Sequence, residues 1–151
     1  MDFKIVRAKI FDTNKITLFL KQNFKFHNLE FNNNYVKNSF DNGICFLSKR
    51  EGKILGIIFL KVIKQDNRAE LKHLIVKENF RSQGIGKALL NEVIKFSKKR
   101  KIRKLTGMAS STQIAILKKL AKDFNFKLEG ILKNHYRKNG DVYVYSLFLQ
   151  K

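Results

Sequence analysis

Residues 80–90 read FRSQGIGKALL, and this stretch limits what the chain can become more than any other. Upstream, RAELKHLIV (68–76) is apolar and strand-like; downstream, Ile85, Leu89, Val93 and Phe96 recur at helical spacing. Leu90 and Ile94 widen that stripe, while Lys87, Asn91, Lys95 and Lys98 fall on the opposite face. The unit is therefore strand, glycine turn, amphipathic helix. A helix starting at such a turn presents backbone N–H groups at the positive end of its dipole, which suits a phosphate. Gly84 and Gly86 lack side chains and would let an anion reach the main chain, with Arg81 and Lys87 adding charge from outside. The glycines alone are equally consistent with a tight turn and nothing more. The Walker spacing is absent because no Ser or Thr follows the lysine, and the glycine spacing does not fit a dinucleotide fold.

The flanking chain reads as a mixture of strands and helices. FKIVRA (3–8) alternates like a strand, and Asp12 or Thr13 is placed to cap a helix whose Ile16, Phe19 and Leu20 share a face. Residues 28–42 are Asn-rich and leave room for an optional second helix. Apolar runs at 44–50 and 54–64 flank Glu51, Gly52 and Lys53 as a hairpin. A further turn at 65–67 leads into 68–76, predicting a three-strand antiparallel meander. KLTGM (104–108) is a short strand, and Thr112 is placed to cap a helix reaching about Asp123 with Ile116, Leu117 and Leu120 inward. Asn125 takes the left-handed position after that helix, and 127–136 with 142–149 predict a closing hairpin around Lys138, Asn139 and Gly140. Tyr143 and Tyr145 alternate with valines there as ordinary strand residues.

With 151 residues, no Pro and no linker, the chain reads as one domain over 1–151. No apolar stretch of about 18 residues occurs, and the N-terminus lacks a signal-peptide core, so the expectation is a soluble, cytoplasmic protein without a membrane partner. Cys45 stands alone in ICFL as a strand residue, not a nucleophile. His27, His73 and His135 are scattered without further ligands at metal-binding spacing, so no metal is expected.

The span from Arg81 to Gly86 resembles the acetyl-CoA signature of the GCN5-related N-acetyltransferases, Q/R-x-x-G-x-G/A, with Arg81, Gly84 and Gly86 at its fixed positions. LIVKENFRSQGIGKALL resembles that family's fourth strand, pyrophosphate loop and third helix. IVRAKIFDTNKI is similar to its opening, and NFKLEGILKNHY to its "GF" segment with the following strand. The resemblance implies a mixed α/β (α+β) three-layer fold, with a central twisted, mostly antiparallel sheet of about seven strands and helices on both faces. It implies a fourth and fifth strand that splay apart around acetyl-CoA, the cosubstrate. Main chain at Leu74, Ile75 and Val76 would pair with the pantetheine arm, and a bulge there would free donors for the acetyl carbonyl. Arg81, Ser82, Gln83, Gly84, Ile85, Gly86 and Lys87 would hold the pyrophosphate. The activity implied is N-acetyl transfer to a primary amine by direct attack, without a covalent enzyme intermediate.

Such attack requires a base for the amine and an acid for the departing thiolate. Glu70 stands eleven residues before Arg81, the spacing of the catalytic glutamate in lysine-acetylating members of the family, and is the candidate base. Its other reading is a strand carboxylate paired with Lys72 or Arg68. Many members carry the acid tyrosine in the helix before "GF", where this chain has Ala121. Tyr136 resembles the tyrosine that some members use instead, and is otherwise a core tyrosine with its hydroxyl at the surface.

The 32 Lys and Arg outnumber the 12 Asp and Glu, giving +20. Coding bias toward Lys would raise Glu as well, so an anionic partner is a standing alternative. Lys98, Lys99, Arg100, Lys101, Arg103 and Lys104 cluster after the glycine-initiated helix, where cations also suit the helix dipole. The alternative function is therefore a nucleic-acid- or ribosome-associated protein, either acetylating aminoacyl-tRNA or binding without catalysis. The acceptor pocket of the family draws on 13–42 and 131–147, and a partner chain often completes it, which makes a homodimer an expectation to carry.

Overall fold

A computed structural model describes residues 2–24, 30–111 and 113–150. Eleven principal elements follow in the order β1 (Lys4–Arg7), α1 (Thr13–Asn23), α2 (Asn33–Asp41), β2 (Gly43–Arg50), β3 (Lys53–Ile63), β4 (Arg68–Val76), α3 (Ile85–Lys99), β5 (Lys104–Ser110), α4 (Ile114–Phe124), β6 (Lys127–Leu132) and β7 (Val142–Phe148). The seven strands form one sheet in the order β1-β2-β3-β4-β5-β7-β6, mostly antiparallel, with a parallel β4–β5 pair. Its α/β class and strand number match the expectation. No described helix is long and apolar enough to cross a membrane.

Packing divides the chain into two compact units, Met1–Val62 with Lys72–Phe96 and Ile63–Leu71 with Ser97–Lys151. In the first unit β2 and β3 are buried almost continuously, as strands must be when both faces are covered. Cys45 and Leu47 of β2 and Ile57 and Phe59 of β3 join Ile16, Phe19, Leu20 and Val36 of α1 and α2 in one core cluster. Alternate residues point the other way, toward α3: the Phe46 and Phe96 rings lie 6.2 Å apart, centroid to centroid. Cys45 is fully buried, and burial together with the charge of Asp12 pushes its thiol well above the usual range.

Glu51 and Gly52 connect β2 to β3, both left-handed (φ 50° and 74°), with Arg50 opposite Lys53. Two consecutive left-handed residues make the turn whose twist matches antiparallel strands. The region 28–42 does contain a helix from Asn33, and Asn32 caps it by accepting from the Tyr35 amide at 2.9 Å. Capping of α1 differs from expectation. Asp12 turns away from the helix amides to accept from Lys9 N (2.9 Å) and Lys49 Nζ (3.0 Å), and the Thr13 hydroxyl donates to Ile10 O.

In the second unit α4 packs on β5 and β7. Its inward face is Ile114, Leu117, Leu120, Ala121 and Phe124, which leaves Ile116 63% exposed, contrary to the reading that turned it inward. The inward stripe begins at Ile114, two residues before the expected one, and Ile116 falls outside it. Thr112, read as that helix's cap, lies outside the described residues; Gln113 occupies the cap position without a side-chain bond. Asn125 is left-handed as expected (φ 62°), and the Phe126 amide closes the end on Ala121 O at 2.9 Å. The last hairpin is shorter than read: β6 stops at Leu132, so residues 133–141 form the connection.

Gly56 of β3 faces α3 so closely that a Cβ would meet Ile85 Cγ2 at 3.0 Å, Ile75 O at 3.1 Å and Leu89 Cδ1 at 3.2 Å. Gly56→Ala should therefore cost about 1–3 kcal/mol of stability through overpacking, measured as a lowered urea midpoint at unchanged slope. A midpoint equal to the wild type's would mean that α3 is not seated on this glycine.

Candidate active site

The glycine turn is a left-handed construction. After a 3-10 turn at Glu78–Phe80, Ser82 and Gly84 both take positive φ, 59° and 82°, with Arg81 extended before them. Alternation of this kind aims successive amides inward and is a recognised anion-binding geometry. Gly84 O accepts the Ala88 amide at 2.9 Å and so starts α3. The first-turn amides of α3 have no acceptor within the helix and project from its end.

The two glycines have different reasons to be glycine. A Cβ at Gly84 would meet no atom within 4 Å, but its φ of 82° strains any other L-residue. Gly86 has an ordinary helical backbone, and its added Cβ would touch only Val76 Cγ2, at an unstrained 3.7 Å. Nothing in the folded chain requires glycine at 86. What its missing side chain leaves open is space against the end of β4.

β4 supplies the neighbouring wall. Arg81 Nε donates to Val76 O at 3.2 Å, so this arginine, expected to add charge from outside, is anchored on the strand end through one nitrogen. Gln83 Nε2 likewise donates to Asn79 O at 3.2 Å, and Lys77 N ties the strand end to Leu55 O of β3 at 2.8 Å. Next to Leu74–Val76, His73 has a φ of 51° in the middle of the strand. Sequence reading passed His73 over because a lone histidine carried no metal-binding pattern. Its ring sits edge-on to Phe24, Phe31 and Phe59, with centroids 5.4, 5.5 and 6.1 Å away, and Nε2 meets the Tyr35 hydroxyl. Burial, with a smaller contribution from Lys72, lowers its pKa to about 4. Burial raises that of Tyr35. Both partners are therefore neutral near pH 7.

The two candidate proton carriers belong to the second unit. Glu70 in β4 stands opposite Thr106 of β5 and accepts from Arg68 Nη1 at 2.9 Å, with its side chain 22% exposed. Arg68 also reaches Asp66 at 3.1 Å, so the carboxylate belongs to a strand-surface ion pair as well as being a candidate base. Tyr136 lies in the 133–141 connection, not at a strand end, and at 62% exposure it is not a core tyrosine. Its ring is 4.6 Å from that of His135. The connection is organised by Asp141, which accepts from Lys133 Nζ (2.7 Å) and Asn134 N (3.1 Å).

A profile described as the Acetyltransferase (GNAT) family matches residues 13–120. The chain belongs to that family. This GNAT chain is 32% identical to the N-acetylaspartate synthetase of Xenopus tropicalis over 94 residues, 62% of its own length and 34% of that protein's. It is 38% identical to the synthetase of Danio rerio over 56 residues, 36% of this chain and 20% of that one. It thus spans about a third of one of these relatives and a fifth of the other. Among solved structures it is similar to the ribosomal-protein-S18-alanine N-acetyltransferase of Escherichia coli, with a TM-score of 0.85 at 18% identity, covering 99% of this chain and 96% of that one. It is also similar to an N-acetyltransferase of Staphylococcus aureus Mu50, with a TM-score of 0.83 at 22% identity over 99% and 100% of the two chains. At those identities the likeness is one of fold. Membership of the GNAT family implies acetyl-CoA as the acyl donor.

The basic cluster is less uniform than its sequence suggests. Lys98, Lys99, Arg100, Lys101 and Arg103 are exposed, but Lys104 pairs with Glu129 at 2.7 Å and lies 5.2 Å from the centroid of the Phe148 ring. Arg103 Nε also donates to Asp66 O at 2.9 Å. Glu129 sits at the register shift of β6 and accepts from Ser146 Oγ at 2.6 Å; the Lys104 ammonium first and the Ser146 hydroxyl second hold its carboxyl below the usual range.

Two outcomes follow from these environments. Gly84→Ala should lose about 1 kcal/mol of stability, whereas Gly86→Ala should be neutral or gain up to about 1 kcal/mol, read from urea midpoints. In an unfolded chain His73 takes up a proton near pH 6.5, whereas in the folded one it does so near pH 4, so protons favour unfolding between those values and stability declines as pH falls through that window. The His73 ring resonance in NMR should accordingly stay at its neutral position at pH 5, and a midpoint above 6 would show that the ring is not buried as described.

Proposed function

We propose that this chain transfers the acetyl group of acetyl-CoA to a primary amine by direct attack. The observation that carries the reading is the loop at 81–86: two left-handed residues opening into a helix N-terminus, beside a glycine whose absent side chain serves no internal purpose. When bound, acetyl-CoA supplies the acyl group already activated as a thioester. The amides of residues 83–87, with Ser82 and the open backbone at Gly84, Ile85 and Gly86, hold the diphosphate, and the outer guanidinium nitrogens of Arg81 and the Lys87 side chain balance its charge. Main chain at Leu74, Ile75 and Val76 pairs with the pantetheine arm, so that the carbonyl of the acyl group meets a fixed donor.

Glu70 takes the proton that the amine loses, through water or directly. Accepting from Arg68 Nη1 is compatible with that role, because an ionised carboxylate is an acceptor only and has several lone-pair sites. The Tyr136 phenol gives its proton to the departing sulfur; its exposure keeps it able to recover one from solvent. Charge narrows the acceptor. A chain at +20 draws in amines that also carry negative charge, and the relatives named for N-acetylaspartate synthesis favour an amino acid with a side-chain carboxylate. The reading of 1–151 as one domain is part of this proposal.

Isothermal titration with acetyl-CoA is the first test. Binding to the wild type and loss of at least about tenfold in affinity in Gly86→Ala, at undiminished stability, is the expected pair of results. Absence of heat with the wild type defeats the proposal. With a panel of aspartate, glutamate, lysine and alanine-terminated peptides as acceptors, Glu70→Gln and Tyr136→Phe should each lower kcat by about 10²–10⁴ with the KM for acetyl-CoA unaltered. Unchanged turnover in either variant removes that residue from the mechanism.

A second reading is favoured by the five exposed cations at 98–103: an acceptor carried on nucleic acid, or nucleic-acid binding alone. Affinity for RNA that falls steeply between about 50 and 200 mM salt, with no turnover of free amino acids, is the result this reading requires.

A further inference from the structure

His73 is a residue whose conformation has to be imposed. A non-glycine with φ of 51° in mid-strand is out of place, although histidine adopts this region more readily than most residues do. Three aromatic edges fill the space around its ring, from Phe24 just after α1, from Phe31 just before α2 and from Phe59 of β3. Its polar contact in that apolar setting is the Tyr35 hydroxyl on α2. A buried imidazole that loses its partner leaves a polar atom unsatisfied, so the hydroxyl ties the ring, and through it the backbone, to one arrangement. Tyr35 is fixed in turn, since Asn32 caps α2 on the Tyr35 amide and the Phe31 ring lies 5.4 Å from the Tyr35 ring.

We propose that Tyr35 and His73 form a positioning pair: the bond between them holds His73 left-handed and thereby sets the direction of the main chain at Leu74, Ile75 and Val76. The consequence for catalysis rests on the coenzyme reading given above, in which those three residues meet the pantetheine arm. Both are positioning residues and are assigned no step of the chemistry. Their effect is on how well β4 is aligned before the ligand arrives, so their loss raises the cost of binding and leaves the chemistry of Glu70 intact. The neutral state of both groups, imposed by burial, is what allows a plain hydroxyl–imidazole bond in that position. The pair also gives α2 a mechanical connection to β4.

The test uses the full chain with Tyr35→Phe, which removes the hydroxyl and keeps the ring. Amide hydrogen exchange without ligand should quicken roughly three- to tenfold at 74–76, while the amides of Leu89 to Val93 in α3 keep wild-type rates. The KM for acetyl-CoA should rise by roughly the same factor, with kcat within about twofold. His73→Asn, which tolerates the left-handed region but is too short to reach the Tyr35 hydroxyl, should loosen 74–76 less than His73→Val, whose branched side chain resists positive φ. Unchanged exchange at 74–76 in Tyr35→Phe, or equal loosening of α3, overturns the pair whatever the protein does with the coenzyme. Loosening confined to 74–76 in a protein that binds no acetyl-CoA upholds the pair and defeats the coenzyme reading instead.

Discussion

The close seat of α3 on β3 at Gly56 is the constraint on which the rest of the first unit depends. With Ile85 and Leu89 set against a bare backbone position, the helix starts where the strand layer allows it, and the loop before it has a fixed exit. Ser82 and Gly84 then have to turn left-handed to bring the chain from β4 into that helix within a few residues. The left-handed turn is thus a by-product of packing. Arg81 reinforces it from the other side by bonding back to the last carbonyl of β4.

A division of labour separates the two units. The first is dominated by apolar burial, with strands covered on both faces and a histidine kept neutral among aromatic rings. The second carries charge pairs on its strands and in their connections: Arg68 with Glu70 and Asp66, Lys104 with Glu129, Lys133 with Asp141. Exposed pairs of that kind contribute little to stability individually, but they fix side-chain directions. That is the property the role proposed for Glu70 requires.

Much of this was legible in the residues because pattern and packing agree. The α3 stripe, the hairpin at Glu51–Gly52 and the left-handed Asn125 are local features, and local chemistry specifies them. The glycine loop was legible for the same reason, and its family resemblance extended the reading to a mostly antiparallel sheet of about seven strands. What escaped depended on contacts distant in sequence. Ile116 was turned inward by a periodicity that started two residues late; Asp12 was assigned to a cap although Lys49, far along the chain, competes for it. Tyr136 was placed on a strand that stops at Leu132, where pairing with Val142 ends. His73 offered no motif at all: its role comes from Tyr35 and three phenylalanines brought in by other elements, and no spacing along β4 announces them.

Cys45 has a consequence of a different sort. The chain has a single thiol, fully enclosed between strands and helices of the first unit and kept protonated by that enclosure. Alkylating reagents need a thiolate and a path to it, and the folded protein offers neither. The rate at which such a reagent marks the chain is therefore a direct clock of how often that core opens, built into the natural sequence without any label.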